Sequence, residues 1–114
     1  MELQQLLSEI KNFCEDRDWD QYHNPKDLAI GISTEAAELL DLFRFKNGEE
    51  ITQTMFEKRE HIEDELADVL FFVLRFAQMN DIDIKVALEN KLKKNAMKYP
   101  ADKVKGINKK YNEY

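Results

Sequence analysis

Glu65-Leu66-Ala67-Asp68-Val69-Leu70-Phe71-Phe72-Val73-Leu74-Arg75-Phe76 is the stretch whose reading decides the fold. With Glu65 set at zero and about 100° of rotation per residue, Phe72, Phe76, Val69, Ile62 and Val73 fall at about -20, 20, 40, 60 and 80°. That is one continuous apolar arc, the pattern of an amphipathic helix. The helix is expected to start between Thr52 and Glu57 and to run to about Asn80. Three Gly and two Pro in 114 residues disfavour an all-β chain, which needs many turns. The rest of the sequence is rich in Glu, Lys, Leu and Ala, which favour helices.

Three more helical segments follow from apolar spacing. The first covers about residues 2–18, with Leu3, Leu6, Leu7, Ile10 and Phe13-Cys14 at helical intervals. The second begins at Asn24-Pro25, a good N-cap followed by a residue suited to the first helical position. It is expected to run to about Lys46 and stop at Asn47-Gly48. The last runs from about Ile84 to Lys98, where Pro100 biases Tyr99 away from helical geometry. Residues 1–100 read as one helical domain. Residues 101–114 read as a polar, basic tail without clear periodicity. A chain of this size buries a modest core, and small helical chains often complete theirs by self-association.

Two acid pairs stand on these helices, Glu35-Ala36-Ala37-Glu38 and Glu65-Leu66-Ala67-Asp68. A spacing of three puts both carboxylates of a pair on one helical face, where like charges repel. With Glu35 at zero, Leu42, Leu28, Leu39, Ile32 and Phe43 fall at about -20, 20, 40, 60 and 80°. Glu35 and Glu65 therefore lie inside their apolar arcs. Glu38 and Asp68 lie at matching edges, about -60°. A carboxylate in an apolar arc is costly unless paired or bound to a cation. The macrodipole gives Glu35 little help, since the residue lies about three turns past the Asn24 cap. Acids on a solvated face are the bland alternative, and a buried carboxylate–Lys/Arg network is the main structural rival. No His sits three residues after Glu35, Glu38 or Glu65, which argues against the di-iron bundle pattern. Cys14 alone cannot make a zinc site. All-oxygen ligation points to Mg²⁺, with Mn²⁺ as the alternative.

Lys91, Asn95 and Lys98 share one stripe of the last helix, at about 0, 40 and -20°. Ile84 and Leu88 lie upstream on that stripe and are expected to face the core. Such a stripe suits phosphate oxygens at a pocket rim. It suits equally a solvated helix end whose cations complement the dipole. The linker Arg17-Asp18-Trp19-Asp20-Gln21-Tyr22-His23-Asn24-Pro25 carries a Trp able to stack on a nucleobase. Trp19 and Tyr22 capping the core is the competing reading. His23 is a candidate base or phosphate contact, and His61 has no assigned role.

The formal net charge of -6 makes the chain a poor general binder of phosphate backbones. A polyanionic ligand would need a local basic patch or a bridging cation. One cysteine fits a reducing compartment. Met1 is followed by Glu2, Gln4 and Gln5 rather than by a signal-peptide pattern. No run approaches the roughly 20 apolar residues of a membrane span. A cytoplasmic protein with neither nucleic-acid nor membrane partners is expected.

Together these residues resemble the MazG-like nucleotide pyrophosphohydrolases, whose pattern is Glu-x-x-Glu, a variable gap, then Glu-x-x-Asp. Here the gap between Glu38 and Glu65 holds 26 residues. Arg17-Asp18-Trp19-x-x-Tyr22-His23-x-Pro25, Lys98-Tyr99-Pro100 and a Lys110-Tyr111 tail resemble the dCTP pyrophosphatase branch of that family. The resemblance implies an all-α, four-helix MazG-like bundle completed by oligomerisation as a homodimer or homotetramer. It implies Mg²⁺ held by Glu35, Glu38, Glu65 and Asp68. The implied reaction is cleavage of a nucleoside triphosphate between the α- and β-phosphates, giving the monophosphate and pyrophosphate. It also implies an aromatic cage for the base, with Trp19 as one wall. Phe45 stands where the second wall is often Trp, which leaves the base open. Lys91, Asn95, Lys98 and Tyr99 match positions near phosphates and sugar.

The expected chemistry is metal-assisted, with Glu35 and Glu38 as catalytic carboxylates and Glu38 orienting or deprotonating the attacking water. dCTP or a modified analogue is the expected substrate. The alternatives are another nucleotide, such as dUTP or a phosphoribosyl nucleotide, and a non-catalytic helical interaction module.

Overall fold

A computed structural model describes residues 1–108. Its elements are α1 (Leu3–Asp16), a 3₁₀ turn (Asp20–Tyr22), α2 (Pro25–Asp41), α3 (Glu49–Glu57), α4 (Arg59–Met79), α5 (Ile84–Lys98) and α6 (Ala101–Val104). No strand occurs among the described residues, and the fold is all-α. The chain forms two compact units, Met1–Asp81 and a second that begins at Ile82.

In the first unit α4 is the central element. α2 packs against it most extensively, and α1 and α3 also rest on it. The buried apolar residues come from three of these helices: Cys14 of α1, Leu28 of α2, and Ile62, Leu74 and Ala77 of α4. α2 approaches α4 closely at Gly31, where a Cβ would stand 2.6 Å from the Phe72 ring. α2 opens as its sequence dictates. The Asn24 side chain accepts from the Asp27 backbone N–H at 2.9 Å, Pro25 follows the cap, and Asp27 lies in the first turn.

The helix boundaries depart from expectation in two places. α2 ends at Asp41 rather than near Lys46. Beyond it Leu42, Phe43 and Arg44 donate to carbonyls three residues back, at Leu39, Leu40 and Asp41. This tight turn replaces α-helical bonding, and Phe45, at φ 67°, completes the exit. The expected single third helix is two. α3 begins after Gly48, at φ 54°, with Glu49 and Glu50 in its first turn. It breaks at Lys58 (φ -112°, ψ 28°), and α4 starts at Arg59.

The second unit holds α5, whose bounds match the expected segment. The Asp83 side chain caps it by accepting from the Val86 N–H at 3.1 Å. Leu88, expected to face a core, is exposed. No described residue of this unit is buried, because two helices of 15 and 4 residues offer too little surface to enclose one. Within the polar tail that showed no clear periodicity, Ala101–Val104 forms the single turn α6 after Pro100. Lys110 and Tyr111 lie outside the described residues. Among the described residues no helix is long and apolar enough to cross a membrane.

Candidate active site

α2 and α4 bring three of the four paired acids together. Glu35 and Glu38 project from α2, Glu65 from α4, and each offers a carboxylate oxygen within 4.8 Å of the others. Their exposure follows the helical projection. Glu35 is half-buried, Glu65 is 13% exposed and Glu38 is exposed. Asp68 is exposed and lies outside that trio, but its charge still acts on Glu35.

The trio is electrostatically frustrated. Among the described residues, one carboxylate oxygen of Glu35 and one of Glu65 are buried without a hydrogen-bond partner. Burial, and after it the neighbouring Glu38 carboxylate, Glu65 and the Asp68 charge, push the Glu35 carboxyl up to about 7. Like-charged groups so placed either share a proton or take up a cation. Among the described residues no Lys or Arg partners either orphaned oxygen, so the buried carboxylate–Lys/Arg network weighed from sequence does not account for them. His61, one turn before Glu65 on α4, places its Nε2 3.2 Å from Glu65 Oε1. Orphaned oxygens, exclusively carboxylate donors and convergence from two helices together fit a hard divalent cation.

A cavity of about 600 Å³ opens beside the trio. Glu38, Glu65, His61, Thr34 and Arg44 contribute to its wall. Arg44 stands 3.9 Å from Asp41 and its guanidinium lies over the Phe45 ring, 4.7 Å from the centroid. The sequence reading missed Arg44. Its proximity to the acid pair follows from the tight turn that ends α2 early, which spacing did not reveal.

Trp19 and Phe45 do not line that cavity. Trp19, 39% exposed, packs edge-on against Phe13 at 5.6 Å, and Phe13 meets Phe71 at 6.1 Å. Phe45 is 83% exposed. His23 is half-buried, with its ring centroid 6.3 Å from that of Trp19. Lys91, Asn95 and Lys98 lie on α5 and Tyr99 caps it, its N–H donating to the Asn95 carbonyl at 2.8 Å. These four belong to the second unit.

Sequence reasoning also missed Arg75. It interrupts the apolar run of α4 yet is 1% exposed. It pairs with Asp20, donates from Nε to His23 Nδ1 at 2.9 Å, and donates from Nη1 to Gln78 Oε1 at 2.7 Å. Gln78 in turn donates to the Leu7 carbonyl at 2.7 Å. A charged residue inside an otherwise apolar helical stretch was the available signal.

Comparison with known proteins agrees with this architecture. The MazG-like family model matches residues 30–114. Human dCTP pyrophosphatase 1 is 32% identical over 103 residues, which cover 89% of this chain and 61% of that protein. The Mus musculus protein of the same name is 30% identical over the same span. The chain thus spans about three-fifths of the length of these relatives. The crystal structure of a pyrophosphatase from Archaeoglobus fulgidus superposes with a TM-score of 0.83 at 35% identity, covering 86% of this chain and 92% of that one. With its acid pairs on adjacent helices and its sequence matched over most of its length, the chain belongs to the MazG-like family.

Proposed function

We propose that this chain is a divalent-metal-dependent pyrophosphohydrolase that cleaves a nucleoside triphosphate between its α- and β-phosphates. dCTP or a modified analogue is the favoured substrate. The observation that carries the reading is the convergence of Glu35, Glu38 and Glu65 with two buried, unpartnered oxygens beside an open cavity. The sequence relatives named for dCTP support the choice of nucleotide.

In this reading Glu35, Glu38, Glu65 and Asp68 hold Mg²⁺, or Mn²⁺ in its place. The bound cation supplies charge neutralisation for the triphosphate that an acidic protein cannot provide itself. Glu38, the exposed member of the trio, orients the attacking water and takes its proton on a carboxylate oxygen. Glu35 supports it as the second catalytic carboxylate. His61 holds Glu65 in place through their 3.2 Å contact. Trp19, His23 and Phe45 recognise the base, and Lys91, Asn95, Lys98 and Tyr99 engage phosphates and sugar. The assembly is a homodimer or homotetramer, and the protein works in the cytoplasm on a free nucleotide.

A substrate panel with pyrophosphate detection tests this. It should contain dCTP, modified deoxycytidine triphosphates, dUTP, the other common triphosphates and a phosphoribosyl nucleotide, each with Mg²⁺ or Mn²⁺. Release of pyrophosphate and dCMP from dCTP, abolished by chelator, is expected. Preference for dUTP or a phosphoribosyl nucleotide would move the chain to another substrate. No release from any of them would leave a non-catalytic interaction module.

A further inference from the structure

The linker that carries Trp19 and His23 is tied to α4 by one buried side chain. The Arg75 guanidinium spends its donors on three acceptors: Asp20 and His23 in the linker, and Gln78 one turn along its own helix. Asp20 is 46% exposed, while Arg75 is 1% exposed, so the cation is held beneath the linker rather than reaching out to solvent. Cys14, fully buried, also feels the Arg75 and Asp20 charges, and Arg17 acts on it as well.

The chemistry of the Arg75–His23 contact is directional. An arginine Nε always carries hydrogen and can only donate. His23 Nδ1 must therefore accept, which requires a lone pair there and places the ring proton on Nε2. Burial, and after it the adjacent Arg75 guanidinium, oppose a second ring proton and outweigh the Asp20 carboxylate, so the His23 pKa is lowered. A neutral imidazole results, with its only N–H at Nε2, fixed beside the indole of Trp19.

We propose that Arg75 is a positioning residue that locks His23 as an Nε2–H donor next to Trp19, so that this pair accepts a nucleobase presenting a hydrogen-bond acceptor. Trp19 supplies the stacking face and His23 the directional contact. Arg75 touches neither base nor acid trio. This inference rests on the assignment of the Trp19–His23 linker to base recognition, and its test does not require turnover.

Two measurements decide it. The first is a long-range ¹H–¹⁵N spectrum of the whole chain at neutral pH, with the two histidines assigned through His61→Gln. A neutral Nε2–H pattern for His23 is expected. An Nδ1–H tautomer or an imidazolium would overturn the lock. The second is binding of dCMP followed by fluorescence of Trp19, the sole tryptophan. His23→Ala and Arg75→Met should each weaken dCMP roughly fivefold, the worth of one ordinary hydrogen bond. Arg75→Lys keeps the charge and loses the planar fork, so it serves if Arg75→Met does not fold. A folded Arg75→Lys with wild-type dCMP affinity and an unchanged His23 spectrum would overturn the positioning role. Silence of the nucleotide panel alongside the expected spectrum and dCMP affinities would count against the enzyme and not against the lock.

Discussion

Glu35 on α2 and Glu65 on α4 each bury a carboxylate oxygen that has no hydrogen-bond partner among the described residues, at a point where their acid groups converge. Two unpaired anionic oxygens in one place destabilise a fold unless something positive joins them. Mg²⁺ or Mn²⁺ should therefore raise the thermal unfolding midpoint. At a hundredfold excess over the dissociation constant the gain is about 2.7 kcal/mol. Glu35→Gln and Glu65→Gln should each remove most of that shift while raising the melting point of the metal-free protein. Differential scanning calorimetry with and without chelator reads both effects, and an equal metal response in wild type and variants would disprove the ligand assignment.

The Glu35 carboxyl titrates near 7 in the folded protein, against an ordinary value of 4.5. Folding thus favours its protonated form. The stabilisation is complete below the unfolded value of 4.5 and is lost as pH rises through about 7. Metal-free protein should unfold at lower urea as pH increases across that window. Added Mg²⁺ should flatten or reverse the trend, because the cation requires deprotonated ligands. Glu35→Gln should abolish the slope assigned to this group. Urea melts at a series of pH values give the answer, and a metal-free midpoint that climbs with pH would contradict the raised value.

Glu38 is the exposed acid of the trio, so its replacement should spare the fold and reach the chemistry. Glu38→Gln is expected to lower kcat by roughly 10²-fold or more, the ordinary contribution of a positioned general base. Its melting point should stay within a degree or two of wild type, as for other surface substitutions. Steady-state kinetics alongside a thermal melt separate the two effects, and full activity in this variant would move the base elsewhere.

Much of this arrangement was legible because helical projection depends only on residue order. Glu35 and Glu65 fell inside apolar arcs and are half-buried or nearly buried, while Glu38 and Asp68 fell at the edges and are exposed. α5 and the Asn24 cap also declared themselves through local chemistry. The break at Lys58 did not, since Glu57-Lys58-Arg59 contains neither Gly nor Pro and any of the three suits a helix. Arg75 stood out as a charge in an apolar run, but its role did not. Its partners Asp20 and His23 lie more than fifty positions away, and only tertiary packing brings them to it.

Gly31 marks a close approach of α2 to α4. An added methyl would stand 2.6 Å from Cδ1 and Cε1 of Phe72, and 2.9 Å from Cγ. Alanine gains about 1 kcal/mol of helix propensity over glycine, but here the ring must move and the helices must part. Overpacking of this kind costs about 1–3 kcal/mol. Gly31→Ala should therefore be neutral to destabilising rather than stabilising as it would be in an open helix. Gly31→Ala combined with Phe72→Leu should recover stability relative to either single change. Chemical denaturation of the four proteins forms the cycle, and additive effects would show that the contact is not the cause.

α4 is apolar over more of its circumference than its partners cover. Leu66 and Leu70 are 56% and 51% exposed, and with Ala67, Val69 and Val73 they line an apolar depression of about 440 Å³. Two large side chains on one face of a central helix would each gain about 1.5–3 kcal/mol on full burial. Charged residues are sparse on this face, with Glu63 alone at its margin. A second copy of the chain is the expected cover, given how little core one copy encloses. Leu66→Glu with Leu70→Glu should then lower the mass in multi-angle light scattering to that of one chain and reduce the concentration dependence of the melting point. Since Leu66 lies between Glu65 and Asp68 on α4, separation of the copies should also disturb the carboxylates, so pyrophosphate release should fall together with mass. A double variant that keeps the wild-type mass would place the contact between copies on another face, and one already of single-chain mass before mutation would leave this face uncovered.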